Sequence, residues 1–437
     1  RFNTTTAIPK ADGVIYSLPG RVDVGTDQGP TEEAGDAADV TLTIDPGVTI
    51  FGATGTSFLV VNRGNKIDAV GTPTQPIVFT GRGNVIRPAA DLDQASQMWG
   101  GVVLLGRAPV TDCNEGSGGT PGTATCERKT EGASNALYGG GTPTDNSGTM
   151  SYVQIRFSGF ALAEGVELQG LTPSGTGSGT TLNHIQIHNS SDDGIEVFGG
   201  RVNMKHLVVT GAEDDGLDTD VGYQGNIQYV IGVQRAGGTL GDSMMEIDSN
   251  GNEDTTPRQR VAISNFTYIH RNNTAGNGVS ILIRGGADYT FANGLIVAPG
   301  FRCLGMNSAT TVRDADAALD DQGPPKFFSV AMQCNSQPFR GSPTPPVTDA
   351  MVQAIFQAGT NNRSDFVPTL ANLFINGTAE TALTAYDAKA INAFFDTTAY
   401  VGAVRDANDG WYKSWTCNSS TADFGTDSKS CNVIPMA

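Results

Sequence analysis

HIQIHNSSDDGIEVFGGRVNMKHLVVTGAEDDGLDTDVGYQG, from His184 to Gly225, says one thing twice. An apolar run leads into a small polar turn and an acidic strand, and DDGIE at Asp192 to Glu196 returns as DDGLD at Asp214 to Asp218, 22 residues later. That interval suits one coil of a parallel β-helix, where each coil buries its apolar side only by stacking on the next.

Working outward, the apolar strand recurs as SYVQIR, NHIQIH, KHLVVT, QYVIGV, NFTYIH and NGLIVA, beginning at Ser151, Asn183, Lys205, Gln228, Asn265 and Asn293. Aligned on Val153, Ile185, Leu207, Val230 and Phe266, the intervals are 32, 22, 23 and 36. One coil near 22 with insertions at some corners accounts for all four, because loop-closure cost grows slowly with length. Alternation puts Ile185 and Ile187 inside, with Gln186 and His188 outside. Each strand repeats in the same sense after a long connection, which favours parallel pairing. A sandwich is the competing architecture, and it gives no reason for acidic words at one period.

Repeats also explain the length. A chain of 437 residues exceeds one ordinary globular domain, whereas a solenoid grows by adding coils. Fifty-six Gly and 21 Pro, with 38% apolar residues in short alternating bursts, fit many short strands joined by tight turns. The expected organisation is an N-terminal segment over 1–36, a parallel β-helix over 37–342 with an inserted loop at 111–149, and a C-terminal appendage over 343–437. In that appendage Val352, Ile355 and Phe356, and again Ile391, Phe394 and Phe395 within Ala388 to Phe395, fall at helical spacing. The fold class is therefore all-β, a solenoid closed by a small helical cap that covers exposed strand edges.

The net charge of −18, from 45 acids against 27 Lys and Arg, argues against nucleic acid and anionic membranes as partners. No run of apolar residues is long enough to span a bilayer. Six cysteines fall as neighbouring pairs, Cys113 with Cys126, Cys303 with Cys334 and Cys417 with Cys431. Local disulfides and an oxidising compartment are the expectation; a metal site is the competitor, without any C-x-x-C word to support it. The chain opens at Arg1 and is read as a mature, secreted or cell-surface product whose export signal has been removed.

Three acidic columns emerge from the alignment. The first holds Glu167, Glu196, Asp218 and Glu246; the second, two residues on, Gln169, Phe198, Asp220 and Asp248; the third, three before the first, Glu164, Asp193, Asp215 and Ser243. Adjacent coils lie about 4.8 Å apart, where two unit charges repel by roughly 0.9 kcal/mol in water and about 3.5 at an effective dielectric near 20. Relief must come from a divalent cation, from shared protons, or from bases such as Lys205 and Arg284. Calcium suits a ladder of carboxylates, with Glu167, Asp192, Glu196, Asp218, Asp220, Glu246 and Asp248 as its candidate ligands. A solvated acidic face without a ligand is the alternative.

SDDGIE followed by EDD resembles the acidic motifs of polygalacturonase-type glycoside hydrolases, which are parallel β-helices. That resemblance implies acid and base roles for carboxylates among Asp193, Asp214, Asp215 and Asp218. SILIRGG, ending its charged word at Arg284, resembles the family's basic word, but no Gly-His-Gly follows the acids. A lyase would take its base from Lys205, Arg201 or Arg284. His184 and His206 share a column with Tyr152 and Tyr229, which predicts a ring stack; a zinc site using both histidines and an acid is the competitor.

TIDPGVTI, WGGVVLLGRAPV, DNSGTMSYVQIRFSG, SDDGIEVFGGRVNMKHLVV, EDDGLDTDVGYQG and YVGAVRDANDGWYKSW together resemble a widespread group of secreted or surface-attached bacterial right-handed β-helix proteins. This resemblance covers nearly the whole chain and implies an extracellular protein; it assigns no catalytic residue. The expected function is a calcium-binding scaffold that presents an elongated face to an extracellular polysaccharide or to copies of itself. The alternative is a polysaccharide hydrolase or lyase using the acid ladder.

Overall fold

A computed structural model describes residues 1–32, 39–86, 91–113, 118–163, 166–249, 251, 253–271, 278–343 and 346–434. Among them, two long parallel sheets run side by side, one of ten strands and one of thirteen. Parallel register links every coil: Leu171, Ile195, Leu217, Met245, Ile281 and Leu304 form one inward column in the ten-stranded sheet. Val153, Ile185, Leu207, Val230 and Phe266 form another in the thirteen-stranded sheet, as their spacing predicts. All are buried. Gly294 continues the second column because a Cβ there would stand 2.0 Å from the Phe266 ring.

The described part of the expected N-terminal segment, residues 1–32, already contributes strands to the stack. Thr6–Ile8, Tyr16–Leu18 and Arg21–Val24 pair in parallel with Thr41–Ile44, Thr49–Gly52 and Phe58–Val61. In these early coils the thirteen-stranded sheet has two strands per coil. From Gly148–Arg156 onward they fuse into one, which pairs with Lys66–Val70 through its first half and Ile77–Gly81 through its second.

The fused strands bend at a single residue. Tyr152, His184, His206, Tyr229, Asn265, Asn293 and Ser329 all have φ between 52° and 63°, and each is skipped by the pairing register. A left-handed residue turns the backbone sharply, at a cost of about 1–2 kcal/mol without glycine. Stacking offsets it: Tyr152 on His184, His184 on His206 and His206 on Tyr229 have ring centroids 4.4, 4.1 and 4.7 Å apart. The expected ring stack is present.

Gln186 and His188 do point away from the coil, but they are buried rather than facing water. His188 packs against Phe157 and meets Thr210 at 2.9 Å, and Gln186 lies under the C-terminal segment. Its helix Asp349–Ala358, capped by the Thr348 hydroxyl accepting the Met351 N–H, sets Phe356 against Phe327 and Phe339 and closes the last coil. The chain then returns along the outer side of the thirteen-stranded sheet. Outward amides grip its backbone reciprocally: Asn293 donates to the Tyr386 carbonyl and accepts its N–H (2.9 and 2.7 Å). Gln228 does the same at Asp396 (3.1 and 2.8 Å) and Gln186 at Cys417 (3.0 and 2.7 Å). The segment reaches Asn84, which donates to the Cys431 carbonyl at 3.2 Å.

This docking explains why helical spacing over Ala388 to Phe395 yields only the 3-10 turn Ala388–Ala390. Backbone groups on either side of it are already taken by Asn293 and Gln228, so an α-helix would have to release them. All three disulfides pair as neighbours, and Cys417–Cys431 staples the returning end.

Candidate functional site

Ile195–Phe198, Leu217–Asp220 and Met245–Ile247 pair in register on the ten-stranded sheet. Their inward residues, such as Ile195, Leu217 and Met245, fill the core. Alternation therefore turns Glu196, Asp218 and Glu246 outward as one rung series, with Phe198, Asp220 and Asp248 two residues on. In the preceding turn Asp193 accepts the Asp215 N–H at 2.8 Å, and Asp215 accepts the Ser243 N–H at 2.6 Å. The three expected columns exist over these coils.

Glu167 does not join them. Leu171, not Val166, pairs with Ile195, so Gly170-Leu171-Thr172 is the true counterpart of Gly194-Ile195-Glu196. The likeness of GVE to GIE concealed a hairpin in which Val166–Leu168 pairs antiparallel with Phe160–Ala163. Gln169 is displaced likewise, since Ser174 stands opposite Phe198; its amide donates to Asp192 at 3.2 Å. Glu164 lies outside the described residues.

The acids are not splayed into water. Asp193, Glu196, Asp215 and Asp220 are each less than one-tenth exposed, Asp192 and Asp218 are half-buried, and Asp214 stands exposed at the rim. One carboxylate oxygen from each of Asp193, Glu196 and Asp218 falls within 4.8 Å of the others, and so does one from each of Asp192, Asp193 and Asp214. Asp193 belongs to both triads. Above the sheet, Thr130 to Ser134 of the disulfide-stapled loop, with Leu162 and Val166, roof a cleft of about 790 Å³. Its floor includes Glu196, Asp218, Asp220 and Asp248, and Arg21, Phe58, Arg128 and Arg284 border it.

Burial, then mutual repulsion, governs the charges. Desolvation followed by the neighbouring carboxylates holds Asp193, Glu196 and Asp218 well above the usual range. Asp215 is raised by burial and by a hydrogen bond between its carboxyl and that of Glu246. Asp192 is pushed up to about 7 by burial, then by Asp214, Glu131 and Glu167. Glu131 also rises to about 7 through burial, with Glu167 adding to it, and Asp220 to about 7 through burial, then Asp248. At rim position Asp214, desolvation and then Glu246 and Asp242 act the same way.

Of the bases expected to relieve this repulsion, Arg284 is in place. It pairs with Glu246, and its Nε lies 3.1 Å from Asp248. Lys205 is not, because its strand belongs to the other sheet, where it bonds Asp396 at 2.9 Å. Arg201 instead donates to the carbonyls of Pro109, Gly200 and Gly222. Among the described residues, Asp193, Glu196 and Asp218 form no ion pair. Glu131, Arg21, Phe58 and Arg128 were not legible as site residues, since the loop and the early coils that carry them lack the acidic repeat.

Among the described residues, no histidine joins a group of three potential metal ligands. His184 and His206 lie in the ring stack beneath Trp415 and Trp411, and burial lowers them to about 4 and about 3. His206 Nδ1 meets Asn183 at 2.8 Å, not a carboxylate.

A stack of parallel coils carrying a roofed carboxylate cleft on one sheet defines an elongated parallel β-helix. The chain belongs to the pectate-lyase-like β-helix domain family, whose sequence pattern matches residues 34–388, and this membership points to a polysaccharide-related role. No curated protein and no solved structure matches it. No helix among the described residues is long and apolar enough to cross a membrane.

Proposed function

We propose that the protein is an extracellular polysaccharide-binding β-helix whose acidic cleft engages its glycan through a calcium ion. The observation that supports this is the triad of Asp193, Glu196 and Asp218, whose carboxylate oxygens gather within 4.8 Å without a basic partner among the described residues. The donor set fits the ion: hard oxygens only, from flexible carboxylates, with no sulfur or imidazole. Calcium held there would join the sheet to hydroxyl or carboxylate oxygens of a sugar lying in the cleft. Three disulfides support an oxidising, extracellular setting. Coverage of the last coil by Asp349–Ala358 disfavours end-to-end stacking of copies at that end, so a polymer is the favoured partner.

A second reading uses the adjoining triad of Asp192, Asp193 and Asp214 as acid and base, and the value of about 7 for Asp192 favours it, because such a carboxyl donates and accepts near neutrality. Carboxyls this close leave no room for the water that an inverting pair needs between groups roughly 6.5–9.5 Å apart.

Calcium titration by calorimetry, followed by incubation with acidic and neutral polysaccharides, tests both readings. Binding of calcium and glycan without product release supports the scaffold. Loss of calcium binding in neither Glu196→Gln nor Asp218→Asn would overturn the cation assignment, and product release abolished by Asp193→Asn would establish the enzyme.

A further inference from the structure

A different groove lies on the thirteen-stranded sheet. Thr181, Asn203, Asn226, Ala262, Thr290 and Lys326 occupy one register row, and at roughly 4.8 Å per coil that row runs about 24 Å along the axis. Two hollows lie in line on it. One of about 240 Å³ is lined by Asn203, Lys205 and Phe394; the other, of about 580 Å³, by Asn226, Arg201, Arg260 and Lys326. The returning C-terminal segment walls both, through Phe394 in the first and Ile391 and Asn392 in the second.

The groove's charge is opposite to that of the chain, which carries −18 overall. Arg260 bonds Asp320 at 2.6 Å. Asp288, the acid inside the larger hollow, is held by Arg258 at 3.3 Å and by the Gln322 N–H at 3.1 Å. Arg201 and Lys326 then remain without a carboxylate partner among the described residues. Arg201 uses only Nη1, toward three carbonyls, so its other nitrogens are available. Burial, then the neighbouring Arg260, lowers it to about 10, a strain that an anion would relieve. Amides and hydroxyls along the floor and the rings of Phe394 and Phe328 at the sides suit a ligand with both hydroxyls and apolar ring faces.

We propose that this groove is a second glycan site, selective for saccharides bearing carboxylate or sulfate groups, with Arg201, Arg260 and Lys326 as the anion-binding residues. It stands independently of the acidic cleft, which lies on the other sheet.

The test is calorimetric titration of the whole protein, in chelator, with oligogalacturonate, a dextran sulfate oligosaccharide and neutral dextran at low and high salt. At least one anionic oligosaccharide binds, more weakly at high salt, and neutral dextran does not; which anion binds tighter distinguishes carboxylate from sulfate. Lys326→Glu, at an exposed residue with no bonds to lose, weakens binding about tenfold. Arg260→Gln weakens it too, while Glu196→Gln leaves it unchanged. Arg201→Lys keeps the charge where Arg201→Ala would unpin three carbonyls. Absence of binding by either anion, equal binding of neutral dextran, indifference to Lys326→Glu and Arg260→Gln together, or loss only in Glu196→Gln would each overturn the proposal.

Discussion

The carboxylate of Asp193 accepts the backbone N–H of Asp215, one coil further on, at 2.8 Å. A buried acid thus serves as a rung between coils as well as a charge. The two duties separate by mutation. Asp193→Asn keeps an acceptor and removes the charge, and it should be neutral or stabilising at pH 8 without calcium. Asp193→Ala leaves the Asp215 N–H buried and unpaired, at a cost of about 1–3 kcal/mol. Urea denaturation of both variants checks this; equal destabilisation would contradict the separation.

Stability should fall as pH rises above about 6.5. Asp192, Glu131 and Asp220 stand at about 7 in the folded protein, against about 4 in an unfolded chain. Between those values the folded state holds more protons than the unfolded one, so raising the pH favours unfolding. Below about pH 6.5 the buried histidines, lowered to about 3 to 4, act in the opposite sense, so chelator-treated protein should melt at a higher temperature at pH 6.5 than at pH 8, and Asp192→Asn should reduce the difference. A melting temperature that climbs over this interval would be inconsistent with the raised carboxyls.

Calcium should reverse that slope. An ion bound only by the folded state adds about 2.7 kcal/mol at a hundredfold excess over Kd, and it is most effective where the carboxylates are ionised. Thermal melts with calcium at pH 8 should therefore gain more than melts at pH 5, with the gain lost in Glu196→Gln.

The C-terminal segment should detach through its amide clamps. Gln186→Leu removes both bonds to Cys417 and leaves a buried N–H and carbonyl unsatisfied, each costing about 1–3 kcal/mol. Limited proteolysis should then cut between Trp415 and Cys431 faster than in the wild type, while the coils persist.

His184 and His206, lowered to about 4 and about 3 by burial in the ring stack, should show no titration between pH 5 and 8 in proton–nitrogen NMR. Added zinc should leave their resonances unmoved.

How much was legible depended on repetition. Ile185 and Leu207 announce their shared column because each coil must present the same face inward, and Asp193 and Asp215 announce theirs through the words around them. Glu167 misled because three residues suffice to imitate a repeat, and only backbone pairing reveals the hairpin. Gln186 obeys the alternation that places it outside; what covers it comes from residues more than two hundred positions away, which no local period encodes. Glu131 and Arg128 sit in an insertion that by nature repeats nothing. Lys205 lies only nine residues from Glu196 in sequence, yet a corner of the coil puts it on the other sheet.

The returning segment also orders assembly in time. Gln154, Gln186 and Gln228 project from their coils, yet the backbone groups they bind at Trp415, Cys417 and Asp396 are synthesised much later. Contacts across such sequence separations form late because loop closure must precede them. During translation the growing solenoid therefore carries a seam of unmet amides, which the returning segment satisfies only after the coils that bear them have formed.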